Sequence, residues 1–558
     1  MGSKRMVTLD LVRGSCIMGM LGVHVFRRVY DLSWLGTDAM GDRSLLHLLT
    51  LLTIAYIGGM AGLFLLVSTI SHTLSIREQL KAGRPLNGTI ARQLMSGVLL
   101  LVFAFVVEST LGQHGFLGRM AYTPLVGETS FTTALMENAS LVLYRGFHFM
   151  TLHTIAWSVI VNSAVQWFLF RNGGAEKVSR NVKVYIGLTI AVLVLTPFMW
   201  AFASWVVPGY PFATYPGTDR MVQYPLEGVS TVFDYAVLFL LGPLAGQTEP
   251  LFPFLFISFI GAIIGIYLSM DRPPKHLPNK GMMIGAVMTL TGVLGIACML
   301  FLGLDSVGTI MEDPYVILRL NIWMPLLLLT TGGQLVFLML LLRIIEYRDM
   351  AAKVAERTVV IRRFAIVSLT VYTFQYIDAV PLHLVSHLPG VSVFNGKDSF
   401  FWAIMAIVAV LAFWNLLLKM WEKKDFICSV EWAFSVFLRQ LNHAARSDRS
   451  KRPDIKWYLA PRLNVLSADE RIEWMELRPK NLIGADRERD SRLSFYLALL
   501  GLVLFPFSFL AFYIARAARS YEGPNRFNDI SLKLSKLGVG WASVATFYLS
   551  QAKGFVLG

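Results

Sequence analysis

The feature that most constrains this chain is a series of apolar stretches, each about 20 residues long. An α-helix of that length rises 1.5 Å per residue and spans about 30 Å of hydrocarbon. The sequence therefore predicts an all-α polytopic membrane helix bundle of about 11 transmembrane helices. These are expected near residues 7–27, 48–72, 93–111, 149–170, 184–206, 251–270, 281–303, 323–345, 364–385, 400–420 and 493–515.

Composition excludes the other broad classes of protein. Of the 558 residues, 55% are hydrophobic and 15% are charged, whereas about a quarter are charged in a typical globular protein. Mean hydropathy is +0.57. The three cysteines have no paired spacing, so they indicate neither a disulfide framework nor a metal site. Nucleophile-elbow, zinc, Walker and dinucleotide motifs are missing, which argues against serine hydrolases, metalloproteases, ATP-driven pumps and redox enzymes.

Loop charges predict the orientation of the bundle. Lysine and arginine exceed acidic residues in 73–92 and 171–183, whereas 112–148 is near neutral. An excess of basic residues marks the cytoplasmic side, so the N-terminus is expected inside. The alternation continues only if 231–247, a short stretch broken by Gly242-Pro243, does not cross. The net charge of +14 lies largely in such loops and indicates anionic lipid rather than nucleic acid.

Three regions are predicted along the chain. Residues 1–421 form the main bundle, 422–492 a cytoplasmic polar insert, and 493–558 an additional C-terminal anchor with an interfacial or membrane-returning tail. Whether 531–553 spans stays open, because lysines interrupt its apolar residues. The first stretch lacks a small-residue cleavage site and is expected to be a retained helix rather than a signal peptide. The expected location is the plasma membrane, as a multi-pass protein.

Polar residues in the first apolar stretch are the main functional signal, because such residues are costly in a membrane and usually functional. Arg13 and His24 are eleven residues apart, about 20° from three full turns, so both are expected on one face. Asp10 joins the same face. An anionic donor could lie near Arg13 while His24 acts as a base. The same spacing fits two other interpretations. Arg13 could be a positive-inside anchor paired with Asp10, and His24 could be a polar residue that is only hydrogen-bonded.

The residue pattern of this first stretch also indicates a family resemblance. Leu9-Asp10, Arg13-Gly14 and His24 resemble the opening helix of membrane acyltransferases, both the acyltransferase type three group and the heparan-α-glucosaminide N-acetyltransferase and YeiB-like group. Further stretches are similar to the latter group in the same order, so that the resemblance covers roughly residues 5–440. These stretches are 58–68, 250–265, 362–372 and 421–432.

This resemblance implies a ten- or eleven-span fold that transfers an acyl group, usually acetyl, from cytosolic coenzyme A. The acceptor would be a hydroxyl or amine of a sugar or lipid-linked molecule. Under the resemblance His24 and Asp10 are catalytic and Arg13 is the donor-side cation. Acetyl-CoA or another acyl-CoA is the donor substrate, and no metal is expected. The lysosomal relatives have a histidine before a Ser-Trp turn, where this chain has Asp31, so His24 would have to serve as the base.

Three other polar residues lie in apolar stretches. His153 and Glu108 are candidates for donor or substrate binding. A hydrogen bond within the bundle is the simpler interpretation of His153. Glu108 could balance a buried cation, support coenzyme A-side chemistry, or be protonated. Asp378, three residues after Gln375, is open to the same interpretations.

Two other functions stay open. A transporter or carrier would use the polar first helix and the broken 231–247 segment, because broken helices mark transport sites; no inverted repeat is visible, however. A structural subunit of a membrane complex would dock through 422–492. Expected partners are membrane lipid, acyl-CoA and a sugar or lipid-linked acceptor, without nucleic acid. Acceptor identity, acyl chain length and oligomeric state, including a homo-oligomer, are not set by the sequence.

Overall fold

The computed structural model describes most of the apolar stretches and part of the loops. The Ser33-Trp34 turn, most of the 422–492 insert and the end of the 531–553 stretch lie outside the described residues. Those residues are 6–30, 51, 54, 61–126, 131–140, 142–147, 149–206, 232–245, 249–303, 323–348, 351–386, 400–422, 426, 428–444, 489–502, 508, 511–512, 515, 519 and 523–540.

All regular secondary structure in the described part of the chain is helical, which confirms the predicted all-α class. A π-helical segment, Val107–Leu111, and 3₁₀ turns at Arg171–Glu176 and Gln375–Asp378 join α-helices, and a further helix covers 526–540. The α-helices are α1 Val7–Val29, α2 Ala61–Lys81, α3 Leu86–Val106, α4 Phe116–Val126, α5 Phe131–Ser140, α6 Val142–Gly146, α7 Thr151–Phe170, α8 Val178–Val206, α9 Val232–Ala245, α10 Leu251–Leu268, α11 Leu277–Phe301, α12 Trp323–Ile345, α13 Ala351–Arg357, α14 Val359–Ile366, α15 Ser368–Thr373, α16 Ala379–Ser386, α17 Phe400–Glu422, α18 Val430–Ala444 and α19 Arg489–Gly501.

Seven described helices are long and apolar enough to cross a membrane. They are α1, α3 with its continuation to Tyr122, α8, α10, α11, α12 and α17. This set supports the prediction of a membrane protein. Helices α2 and α7, with 21 and 20 residues, are not in this set. In α2 the charged residues Arg77, Glu78 and Lys81 gather in the last turns.

The chain divides into two compact units. One contains described residues within 6–420 and the other described residues within 421–540. In the second unit, Ser494 Oγ donates to Ser531 Oγ (3.0 Å) and Asn525 Nδ2 donates to Ser491 Oγ (2.8 Å). These bonds join α19 to the helix at 526–540. The candidate site lies in the first unit.

Three loops with an excess of basic residues meet at one end of the first unit, called here the basic end. Arg77 Nη1 donates to the carbonyl oxygen of Ala175 at 2.6 Å, which joins 73–92 to 171–183. Lys81 Nζ lies 2.6 Å from Asp271 Oδ1, so the loop that follows α10 is at the same end. Loops predicted on one side of the membrane are therefore neighbours in the fold.

The start of α1 belongs to the basic end as well. The amide of Thr8 donates to Glu346 Oε1 (3.1 Å), just after α12. Tyr347 Oη in turn donates to the carbonyl oxygen of Pro274 (3.2 Å), in the loop that carries Asp271. Because α1 begins at the basic end, its C-terminal part, with His24, lies toward the opposite end.

The short stretch 231–247 forms one helix, α9, of 14 residues. It continues through Pro243 to Ala245, so the break expected at Gly242-Pro243 was wrong. Its buried residues pack beside the far part of α8, around Ala203. Helix α8 leaves the basic end and α10 returns to it, and α9 lies between them in the chain.

The interruption lies instead in the ninth apolar stretch, 364–385. There the helix is divided into α14, α15, a 3₁₀ turn and α16. The backbone leaves helical geometry at Val367 (φ −116°, ψ 39°) and again at Phe374 (φ −101°, ψ 23°). An α-helix has φ near −63° and ψ near −42°. This segment, 359–386, is called here the divided helix.

The divided helix packs directly against α1. Gly14 permits this contact, because a Cβ atom there would collide with the backbone carbonyl of Ile361 in α14. Small residues allow helices in membranes to approach closely, where packing rather than water exclusion holds them together. The glycine noted in the first stretch thus places the polar face of α1 beside α14 and the helices that follow it.

Candidate functional site

Polar contacts follow α1 from the basic end toward the opposite end. Nearest the basic end, Asp10 Oδ2 lies 3.8 Å from Arg362 Nε on α14, and both side chains are buried. Burying a carboxylate and a guanidinium is favourable only when each compensates the other. The ion pair therefore ties α1 to the divided helix. This contact gives Asp10, predicted as catalytic, a structural partner.

One turn further along α1 lies the Arg13 cluster, which consists of Arg13, Ser71, His72 and Gln93. Arg13 is half-buried, and its Nη2 donates to Ser71 Oγ on α2 at 3.2 Å. His72 lies within electrostatic reach of Arg13, and its Nδ1 is hydrogen-bonded to Gln93 Nε2 on α3. A guanidinium, a hydroxyl and an imidazole so grouped suit an anion such as a phosphate or carboxylate.

His24 lies about 16 Å further along α1, eleven residues beyond Arg13. It is half-buried, and its Nδ1 lies 3.0 Å from Oε1 and 2.7 Å from Nε2 of Gln375 in the divided helix. Gln113, just after the π-helical segment, is also within hydrogen-bonding reach of the imidazole. Two amide side chains thus hold the ring, and Nδ1 is occupied by one of them.

An ion pair lies one turn beyond His24. Arg28 Nη1 donates to Asp378 Oδ2 at 3.3 Å, and its guanidinium lies over the ring of Tyr122 with 3.9 Å between Cζ and the ring centroid. Tyr122 Oη donates to the other carboxylate oxygen of Asp378. Both oxygens of the buried Asp378 are therefore satisfied. Together His24, Gln375, Arg28, Asp378 and Tyr122 form the His24 cluster.

Glu108 lies in the π-helical segment Val107–Leu111 that follows α3. Its side chain is buried, and Tyr372 Oη donates to Glu108 Oε1 at 3.4 Å. Tyr372 is in α15, so this contact joins the third apolar stretch to the divided helix. π-Helical segments are frequent at functional sites. Glu108 thus contacts the divided helix at Tyr372, three residues before Gln375.

His153 is buried at the start of α7, within an aromatic setting. Its ring centroid is 5.0 Å from that of Phe105 and 5.4 Å from that of Phe149. The amide of Met150 donates to His153 Nδ1 at 3.4 Å, which closes the N-terminal turn of α7. These contacts agree with the simpler interpretation, a hydrogen bond within the bundle, and they do not place His153 in either cluster.

The structure adds residues that the sequence interpretation missed. Ser71, His72 and Gln93 join Arg13, while Arg28 and Tyr122 join His24. His72 could have been predicted, because a histidine at the end of an apolar stretch indicates a functional residue. The other residues could not have been predicted in this way. Among the described residues, no group of three or more His, Cys, Asp or Glu side chains could hold a metal ion.

The two clusters provide different chemistry. The Arg13 cluster is rich in hydrogen-bond donors and lies nearer the basic end, where an anion could be bound. The His24 cluster presents an imidazole that two amides hold, and only one of its ring nitrogens is occupied by Gln375. Comparison with known proteins does not assign the chain to a family, since neither a protein-family model nor a curated protein matches it.

Proposed function

We propose that the protein is an integral membrane acyltransferase. It transfers an acyl group, acetyl in the first instance, from cytosolic acyl-coenzyme A to a hydroxyl or amine of a sugar or lipid-linked acceptor. The observation that supports this proposal is the pair of polar clusters along one helix. The Arg13 cluster, which suits an anion, lies nearer the basic end, and the His24 cluster lies about 16 Å beyond it. The resemblance of 5–440 to membrane acyltransferases points the same way.

The proposal includes about eleven spans with a cytoplasmic N-terminus in the plasma membrane. It is supported by the meeting of the basic loops at one end of the fold, since basic loops are normally cytoplasmic. Single cysteines at positions 275 and 133, in a cysteine-free background, test it with a membrane-impermeant reagent. Position 133 should be labelled from outside and position 275 only after permeabilisation. The reverse pattern would overturn the orientation.

The donor occupies the Arg13 cluster through its phosphates. Coenzyme A separates its phosphates from its thioester by the extended pantetheine arm. A molecule held by phosphate at Arg13 can therefore place its thioester further along α1, toward His24. Ser71 and His72 add a hydroxyl and an imidazole to the guanidinium, and charge-assisted contacts of this kind are the strong ones.

His24 acts as the general base in this proposal. The acceptor oxygen or nitrogen attacks the thioester carbonyl, and His24 Nε2 takes the proton that the acceptor loses. The carbon–sulfur bond then breaks. Coenzyme A leaves as a thiolate and takes the proton from the imidazolium, so the enzyme returns to its first state. The products are the acylated acceptor and free coenzyme A.

Purified protein incubated with radiolabelled acetyl-CoA and a membrane extract tests the function. An acyltransferase labels an acceptor in the extract and releases free coenzyme A, and the variant His24→Ala fails to do so. Thr133→Ala, an exposed change on α5, is the matched control and should behave as wild type. If wild-type protein and His24→Ala give equal labelling, or if neither releases coenzyme A with any extract, the proposal is wrong.

A membrane carrier is the second candidate. The observation that favours it is the divided helix, which contains the buried residues Gln375 and Asp378 at its interruption. Interrupted helices commonly form substrate sites in transporters. Proteoliposomes distinguish the two functions, because a carrier accumulates intact labelled acetyl-CoA inside the vesicles, whereas an acyltransferase consumes it.

A further inference from the structure

The divided helix is attached to α1 at two points one turn apart. Gln375 contacts His24, and Asp378 contacts Arg28, with distances of 3.0 Å and 3.3 Å. On α1 the two partners are four residues apart, and on the divided helix they are three apart within one 3₁₀ turn. The spacing on each side therefore matches, so both contacts form together.

Burial makes this attachment rigid. The side chain of Gln375 is 1% exposed and that of Asp378 is 0% exposed. A buried carboxylate that loses its cation is strongly unfavourable, so Asp378 holds the 3₁₀ turn against Arg28. Tyr122 donates to the same carboxylate from α4. The turn that carries Gln375 is thus fixed by an ion pair that does not touch the imidazole.

A neutral imidazole has one nitrogen that donates and one that accepts a hydrogen bond. Which nitrogen carries the proton is decided by the partner of the other one. Gln375 Oε1 lies 3.0 Å and Gln375 Nε2 lies 2.7 Å from Nδ1, and the two ends of an amide can exchange places. Only when the oxygen accepts Nδ1–H is the lone pair left on Nε2, as the proposed base requires, and a proton taken up there gives an imidazolium that the same oxygen stabilises.

We propose that Gln375 is a positioning residue that holds His24 as the Nδ1–H tautomer, with Asp378 fixing the turn on which Gln375 lies. The basic atom is then His24 Nε2. The tautomer is a property of the folded protein, whereas its use in acyl transfer rests on the proposed function. The two statements can therefore fail separately.

Nuclear magnetic resonance of protein with isotope-labelled histidine tests the tautomer without any activity measurement. The His24 signal is identified by its loss in His24→Asn, and the imidazole nitrogen shifts distinguish the two tautomers. Wild-type protein should show the Nδ1–H form, and Gln375→Leu should lose this preference. Gln93→Leu is the matched control, because it removes the glutamine partner of His72 and should leave the His24 signal unchanged.

Activity provides the second measurement. Gln375→Leu should lower turnover about tenfold, as expected for one hydrogen bond to a charged group, while the KM for acyl-CoA stays constant. A wild-type signal of the Nε2–H form overturns the proposal even if Gln375→Leu does not fold. An unchanged His24 signal in folded Gln375→Leu overturns it as well. Correct tautomers in a protein without acyl transfer would contradict the proposed function and leave the positioning role intact.

Discussion

The Arg13 cluster and the His24 cluster are built from the same kinds of residue and differ in how the fold supports them. Each combines an arginine with a histidine that is bonded to a glutamine. The Arg13 cluster is formed by α1, α2 and α3, which follow one another in the chain. The His24 cluster depends on the divided helix, about 350 residues later. The Arg13 cluster therefore forms within neighbouring helices, whereas the His24 cluster forms only when distant parts of the chain pack together.

Burial separates the roles within the two regions. Arg13 and His24 are half-buried, so each can meet a substrate, whereas Asp10, Arg362 and Asp378 are buried. The buried charges hold helices together, and the half-buried residues are available for chemistry. Single substitutions in each region can test this division.

The largest effect is expected at the buried ion pair of Asp10 and Arg362. Asp10→Ala should lower the free energy of unfolding by about 3–5 kcal/mol, because it removes the carboxylate that compensates a buried guanidinium. Chemical unfolding in detergent measures this loss. Turnover per folded molecule should change little. If Asp10→Ala is fully stable but inactive, Asp10 is catalytic, as the family resemblance implies. Burial would then not distinguish structural residues from catalytic ones.

Arg13→Gln is expected to weaken acyl-CoA binding at least about tenfold, or roughly 1.4 kcal/mol, because a charge-assisted contact to phosphate is lost. Arg13→Lys should recover only part of the affinity, since a point charge lacks the bidentate geometry of a guanidinium. Isothermal titration with acetyl-CoA measures both. Arg28→Gln, in the other cluster, is the matched control and should retain donor affinity. Equal losses in Arg13→Gln and Arg28→Gln would remove the distinction between the clusters.

His72→Ala is expected to have a smaller effect of the same kind. Loss of one hydrogen-bonding group costs about 0.5–1.5 kcal/mol, or about twofold to tenfold in donor affinity. Turnover at saturating donor should stay near the wild-type value. The reverse result, full affinity with little turnover, would make His72 rather than His24 the base.

Asp271→Asn is expected to have no measurable effect. The hydrogen bond from Lys81 holds the pKa of the Asp271 carboxyl below its usual range, so the pair stays ionised above the ordinary pKa and weakens only as the pH falls through the lowered value. The carboxylate is exposed, however, and exposed pairs contribute little. Thermal unfolding between about pH 5 and 8 should therefore match wild type. A clear loss there would show that the basic end is held by surface charge.

Much of the fold could be predicted from the sequence, because its signals are local. Apolar length indicates membrane helices, and loop charge indicates which loops share an end; Arg77 and Lys81 do meet the loops expected beside them. The division of the ninth helix could not be predicted, because neither glycine nor proline occurs around Val367 and Phe374. Conversely, Pro243 lies in the last turn of α9, where the helix tolerates it.

The candidate site was predicted only in part, because contacts between distant helices depend on packing. Helical spacing placed Arg13 and His24 on one face, because that geometry depends on α1 alone. Their partners come from other helices, and no spacing rule connects His24 with Gln375 or Arg28 with Asp378. Such contacts arise from packing, in which Gly14 lets α1 approach the divided helix. The sequence contained these residues without indicating their pairing.

A paired measurement on His24→Ala separates donor binding from proton transfer. Donor affinity and single-turnover acyl transfer are determined on the same purified preparation. The division of roles predicts acyl-CoA affinity near wild type, with a turnover that falls by about 10²–10⁴-fold, the usual contribution of a positioned base. Wild-type turnover in folded His24→Ala, or a loss of donor affinity as large as that of Arg13→Gln, would contradict the separate roles of Arg13 and His24.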